Sequence, residues 1–201
     1  MIAIWASRVP TLPSAASCGR GKAMADYTPE TGPKLAVDFT HGMIRREHRG
    51  VVTTAGQAIV RRLSPHGSIE PGCFDHEVLL PASAPDELRK LHRLVVTYEE
   101  QQLPGQRDLL GIATVRFHHG ERFHVQWECA RSWARTSFNA RGLAVVLVQH
   151  VPALSARAHK PHVHALYFPR VLHGCFGAFV TLDRATLAAE WAAHLAHNCN
   201  G

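Results

Sequence analysis

Acidic residues are missing from a long stretch of this chain, with no Asp or Glu anywhere from Cys129 to Leu182. Cysteine is sparse and irregularly placed: Cys18, Cys73, Cys129, Cys175 and Cys199 are odd in number and form no C-x-x-C pair. That pattern argues against a disulfide framework or a zinc ribbon and suits a reducing, cytoplasmic setting. No window approaches the roughly 18 consecutive apolar residues that span a bilayer, which excludes membrane-crossing roles. No nucleotide-binding glycine loop is present, so strand unwinding would need a helicase or primase partner. Tyrosine is scarce as well. Chemistry that requires a phenolic hydroxyl has only Tyr27, Tyr98 and Tyr167 to draw on.

What is present is basic. The 201 residues carry a net charge of +6, and the acid-free stretch holds Arg131, Arg135, Arg141, Arg157, Lys160 and Arg170 together with five histidines. A surface of that composition attracts polyanions, single-stranded nucleic acid among them. With 46% hydrophobic residues the chain can bury the core of one globular domain. Residues 1–32, rich in Ser, Ala and Pro at the start and without periodicity, are expected to form a disordered N-terminal segment. The run MIAIWA is too short for a signal peptide's apolar core, and Met24 offers a second possible start. Residues 33–201 are expected to form a single α+β domain.

Order becomes legible after Pro71. FDHEVLLP reads as a short strand. Ser83, Pro85, Asp86 and Glu87 then open a helix whose apolar positions Leu88, Leu91, Leu94, Val95 and Tyr98 recur at helical spacing. IATVRFHHGERFHVQWE alternates about His119-Gly120 and predicts a hairpin, with Thr114, Arg116 and His118 on one face of its first strand. Cys129 to Ala140 predicts a helix closed at Gly142. LAVVLVQHV and HVHALYF predict buried strands, and Asp183 to His197 a last helix. Before Pro71 the pattern is weak, and GVVTTAGQAIVRRL fits a strand or a short helix. The expected architecture is a mostly antiparallel central sheet flanked by helices.

Three histidines lie in or beside the two apolar strands. Side chains alternate along a strand, so His162 and His164 share a face. If the strand ending near His150 pairs antiparallel with theirs through the loop 152–161, all three imidazoles converge. Neutral imidazoles in that number suit a borderline divalent ion and leave positions open for water or a phosphate oxygen.

LAVVLVQHV followed by KPHVHALYFPRVL resembles the metal-binding core of the MobA/MobL relaxases, the HUH endonucleases of plasmid mobilisation. In that family an apolar strand ends in His, and Asn/Lys-Pro-His-x-His follows with an Arg beyond it. By this resemblance His150, His162 and His164 are the ligands of a divalent metal (Mn, Mg, Ni or Zn), and Arg170 is the downstream arginine. HEVLLPASAPDELRKL and ARSWARTSFNARGLAVVLVQH are similar to the family's preceding elements, so the likeness covers about half of the chain. It implies nicking and strand transfer on single-stranded DNA through a tyrosine. The charge of the acid-free segment makes its basic residues the expected phosphate contacts, with Arg157, Lys160 and Arg170 nearest the metal. Tyr27 lies in the N-terminal region from which the family draws its nucleophile, Tyr98 is the alternative on a helix, and Tyr167 should face away from the histidines. The family's Ala-Tyr-Arg-Ser/Ala-Gly-Glu motif is absent, which leaves open a protein that binds metal and DNA without nicking. Histidine-triad hydrolases would need a third His where Leu166 stands, and the tyrosine transposases would need a Tyr on the last helix, which has none.

Overall fold

A computed structural model describes residues 26–64, 73–118, 122–155 and 159–198. Their elements are, in order, β1 (Phe39–Arg45), β2 (Glu47–His48), β3 (Val51–Val52), α1 (Ala55–Leu63), β4 (Asp75–Leu79), α2 (Leu91–Glu100), β5 (Asp108–Arg116), α3 (Phe123–Ser137), β6 (Val145–His150), β7 (His162–Tyr167), β8 (Arg170–His173), β9 (Cys175–Phe179) and α4 (Arg184–Asn198). Five strands form one sheet in the order β1-β5-β7-β6-β4, every neighbouring pair antiparallel. The fold is α+β with a central sheet flanked by helices, as the sequence predicts.

Both faces of the sheet are covered, which is why β6 reads as a continuous apolar run rather than an alternating one. Its odd positions Val145 and Leu147 pack with Ala113, Val163, Ala165 and Tyr167 against Trp127, Trp133, Leu187 and Trp191 of α3 and α4. Its even positions Val146 and Val148 join Ile44, Ile112 and Leu166 beneath Ala58, Ile59, Leu94 and Tyr98 of α1 and α2. Each fully buried large side chain contributes about 1.5–3 kcal/mol of apolar burial. α1 is set by a capping box, Thr54 accepting from the Gln57 amide while the Gln57 side chain accepts from the Thr54 amide.

Some expectations need correction. The second half of the expected hairpin is the first turns of α3. Phe123, Val125 and Trp127 satisfy a strand's alternation, but Trp127, Ala130, Trp133 and Ala134 continue a helical stripe that buries more surface. The expected turn at His119-Gly120 lies outside the described residues. The helix opened at Asp86 is two pieces, a 3-10 turn Asp86–Arg89 and then α2, separated by an extended Lys90. β1 and the β8–β9 hairpin, whose turn is a Gly174 with φ of 74°, are not legible in the pattern. Of the segment expected to be disordered, residues 26–32 are described, and Tyr27 forms an antiparallel bridge with Ile44; residues 1–25, Met24 included, lie outside the described residues. Cys73 and Cys175 are free thiols, whereas Cys129 is disulfide-bonded, against the expectation from spacing. No helix among the described residues is long and apolar enough to cross a membrane.

Candidate metal centre

β7 is the middle strand, and its pairing with β6 sets His150 directly opposite His162. His164 follows on the same face, so the three rings meet edge to face with centroids 4.8 to 5.1 Å apart. Each offers one ring nitrogen, and these atoms all lie within 4.8 Å of one another. The other ring nitrogens point outward to fixed partners. His162 donates through Nδ1 to the Lys160 carbonyl at 2.9 Å, the His164 Nδ1 lies 2.8 Å from Thr114 Oγ1, and His150 donates through Nε2 to the Arg62 carbonyl at 2.7 Å. Such outer contacts fix tautomer and ring orientation in metal-bound histidines.

Electrostatics point the same way. Burial pulls His162 down to about 4, the positive neighbours His150 and Arg116 adding to it against the Lys160 carbonyl. Burial lowers His164 as well, with His162 and His150 as further causes. Both rings are therefore neutral at pH 7, the form in which imidazole ligates a metal. The arrangement fits one divalent ion: three ring nitrogens converge from two adjacent strands, and their second nitrogens are engaged elsewhere. The triad can hold a metal.

The tyrosines separate clearly. Tyr167 lies on the opposite face, as expected, its hydroxyl 2.9 Å from His41 Nε2 and its ring stacked on Phe138. Tyr98 is fully buried, donates to the Leu109 carbonyl at 2.6 Å and accepts from Gln106, and burial pushes its hydroxyl far above the ordinary range. A core hydroxyl so engaged has no path to a phosphate, which corrects its candidacy as a nucleophile. Tyr27 is half-buried and on the histidine face, because its bridge partner Ile44 packs on that side. Its ring lies over Gly42, where a Cβ would come 2.6 Å from Tyr27 Cδ2. Asp26 beside it pairs with Arg62 and Arg61, and the Arg62 carbonyl is the one His150 contacts. Burial would raise the Asp26 carboxyl, but the Arg62 and Arg61 guanidiniums hold it below its ordinary value.

The expected DNA contacts fare differently. Lys160 is exposed beside the triad, its Nζ 3.2 Å from Asp38 and from His118. Arg157 lies outside the described residues. Arg170 is a correction: it is 4% exposed, and its guanidinium donates to the carbonyls of Gly177, Gln101 and Phe176. Those carbonyls consume its donors, so it holds the β8–β9 hairpin rather than a phosphate. Sequence reasoning missed Thr114, Arg62 and Asp26 as supports of the site. For Thr114 a signal existed, since it alternates onto the same strand face as Arg116 and pairs in register with His164.

No family model matches the chain, and no curated protein matches it. A solved structure from work on the molecular basis of vancomycin resistance transfer in Staphylococcus aureus aligns with a TM-score of 0.51 and 19% identity, over 63% of this chain and 72% of that one. At that identity the likeness shows a shared fold, an α+β layer that in this chain carries a buried histidine triad able to hold a metal.

Proposed function

We propose that this protein is a relaxase-like, metal-dependent nicking and strand-transfer protein acting on single-stranded DNA in plasmid mobilisation. The observation that carries this reading is the convergence of His150, His162 and His164 on one ring-nitrogen cluster, with Tyr27 on the same sheet face. The resistance-transfer setting of the similarly folded protein is compatible with it. His150, His162 and His164 would hold the divalent ion, Mn, Mg, Ni or Zn, which when bound polarises the scissile phosphate and balances charge on its oxygens. Lys160 adds positive charge at the mouth of the site. Tyr27 Oη attacks phosphorus and the P–O3′ bond breaks, leaving a 5′-phosphotyrosine and a free 3′-OH. The tyrosine proton passes to solvent and the 3′-oxygen takes one up. The ester conserves the energy needed to rejoin the strand, and unwinding falls to a helicase or primase partner.

One observation favours a second reading. MADYTPETG lacks the motif that surrounds the family's nucleophile, which suits an accessory protein that binds metal and DNA without cutting. The deciding experiment incubates the protein with Mn²⁺ or Mg²⁺ and labelled single-stranded plasmid fragments. A covalent protein–DNA adduct that disappears in Tyr27→Phe is the expected result. An undiminished adduct in that variant removes Tyr27, and no adduct in the unaltered protein with any metal selects the accessory reading.

A further inference from the structure

The last residues of β5 lie beside the histidine triad and on its face. Arg116 pairs directly with His162, as Thr114 does with His164. Residues opposite one another on antiparallel strands turn their side chains to the same side, with Cβ atoms about 4.5–5.5 Å apart. The row continues in both directions. His150 stands on the far side of His162, and on the near side the Arg116 amide donates to the Asp38 carbonyl at 3.1 Å. Asp38, Arg116, His162 and His150 therefore cross this end of the sheet in one line.

Arg116 is also a guanidinium with donors to spare. Its side chain is 33% exposed. Nη1 donates to Asp38 Oδ1 at 3.3 Å, and the remaining guanidinium N–H groups meet no acceptor among the described residues. Arg170, with its donors spent on three carbonyls, is the opposite case. An ion pair as exposed as that of Arg116 with Asp38 contributes little stability, so the pair alone does not explain an arginine at this position. The other Asp38 oxygen meets Lys160 at 3.2 Å. One carboxylate thus stands between two cations and leaves a positive charge uncancelled beside the rings.

We propose that Arg116 is a phosphate clamp, its planar guanidinium edge taking two oxygens of the backbone phosphate that lies at His150, His162 and His164. This rests on the reading of that centre as a DNA-phosphate site. A guanidinium suits the task better than an ammonium, because its paired N–H groups match two phosphate oxygens at once. From its place opposite His162 it meets the phosphate on the side away from His150 and so fixes the orientation of the phosphate against the triad.

The test is binding of the full chain, without added metal and at fixed salt, to a fluorescent oligothymidylate, with the melting temperature of each variant measured alongside. Arg116→Gln should weaken binding about ten- to hundredfold, the range for hydrogen bonds to a charged group, and melt as the unaltered protein does. Arg116→Lys keeps the charge and loses the fork, so it should recover only part of that loss. Asp38 retains Lys160 as its partner in both variants, so neither strands a carboxylate. Unchanged binding in Arg116→Gln overturns the clamp alone, as does full recovery in Arg116→Lys or a loss of binding that accompanies a lowered melting temperature in both variants. Failure of the unaltered protein to bind the oligothymidylate overturns the clamp together with the DNA reading.

Discussion

Thr114 is the residue that most directly governs the chemistry of His164. A hydroxyl 2.8 Å from the ring's Nδ1 fixes which nitrogen is offered to the cluster, and partners of this kind are worth about ten- to hundredfold in metal affinity. Thr114→Val, nearly isosteric, should therefore lower the affinity for Mn²⁺ or Zn²⁺ by that factor in calorimetry while His162→Ala/His164→Ala abolishes stoichiometric binding; unaltered affinity in the double variant would reduce the histidines to a structural role. Asp26 acts through Arg62, whose carbonyl His150 contacts. It and Arg62 are both nearly buried, so Asp26→Asn leaves an unmatched guanidinium and should cost about 3 kcal/mol in chemical denaturation. The sign of its pH dependence follows from the lowered carboxyl. The contribution is present above the ordinary value of 3.8 and is lost as pH falls through the lower folded value. Stability of the unaltered protein should fall more steeply below pH 4 than that of Asp26→Asn.

At the scale of elements, β1 matters more than its weak sequence pattern suggests. Gly42 is the position at which the segment 26–32 lies against the strand, and a Cβ there would meet Tyr27 Cδ2 at 2.6 Å and the Thr28 carbonyl at 2.8 Å. One contact is with backbone, which has no rotamer to change. Gly42→Val should therefore cost roughly 1–3 kcal/mol and open the chain near Tyr27 to limited proteolysis, while the triad on β6 and β7 keeps its metal affinity. Equal protease resistance in the variant would show that the segment is not held by this contact. α3 teaches the reverse lesson about legibility. FHVQW fits both periods over five residues, and only the continuation through Trp133 separates them. β6 and β7 are legible at once because a strand buried on both faces needs a long apolar run, and three of the polar residues interrupting it, His150, His162 and His164, form the triad able to hold a metal.

Over the whole molecule, the acid-free interval does not remain a basic surface. The fold brings acids to it from outside: Glu77 and Glu128 to Arg131, Glu190 to Arg141 and Asp38 to Lys160, while Arg170 is buried. If all six basic residues of the interval met phosphates, the slope of log K against log salt for a single strand would be about −4. With Arg131, Arg141 and Arg170 engaged internally, it should be near −2. Titrating an oligothymidylate between low and physiological salt measures it, and a flat dependence would contradict phosphate binding altogether.

The sequence by itself determined the α+β class, the two central strands and the convergence of three imidazoles, because strand alternation and a loop of ordinary length are local properties that leave little choice of geometry. It also determined which face Tyr167 takes. Tertiary structure alone decided which charges stay available, which tyrosine is half-buried rather than enclosed on the histidine face, and what steadies each ring. Those depend on partners far apart in the chain: Asp26 with Arg62, Thr114 with His164, Arg170 with the Gln101 carbonyl. Pairing between distant residues follows from how the layers pack, and no local pattern encodes it.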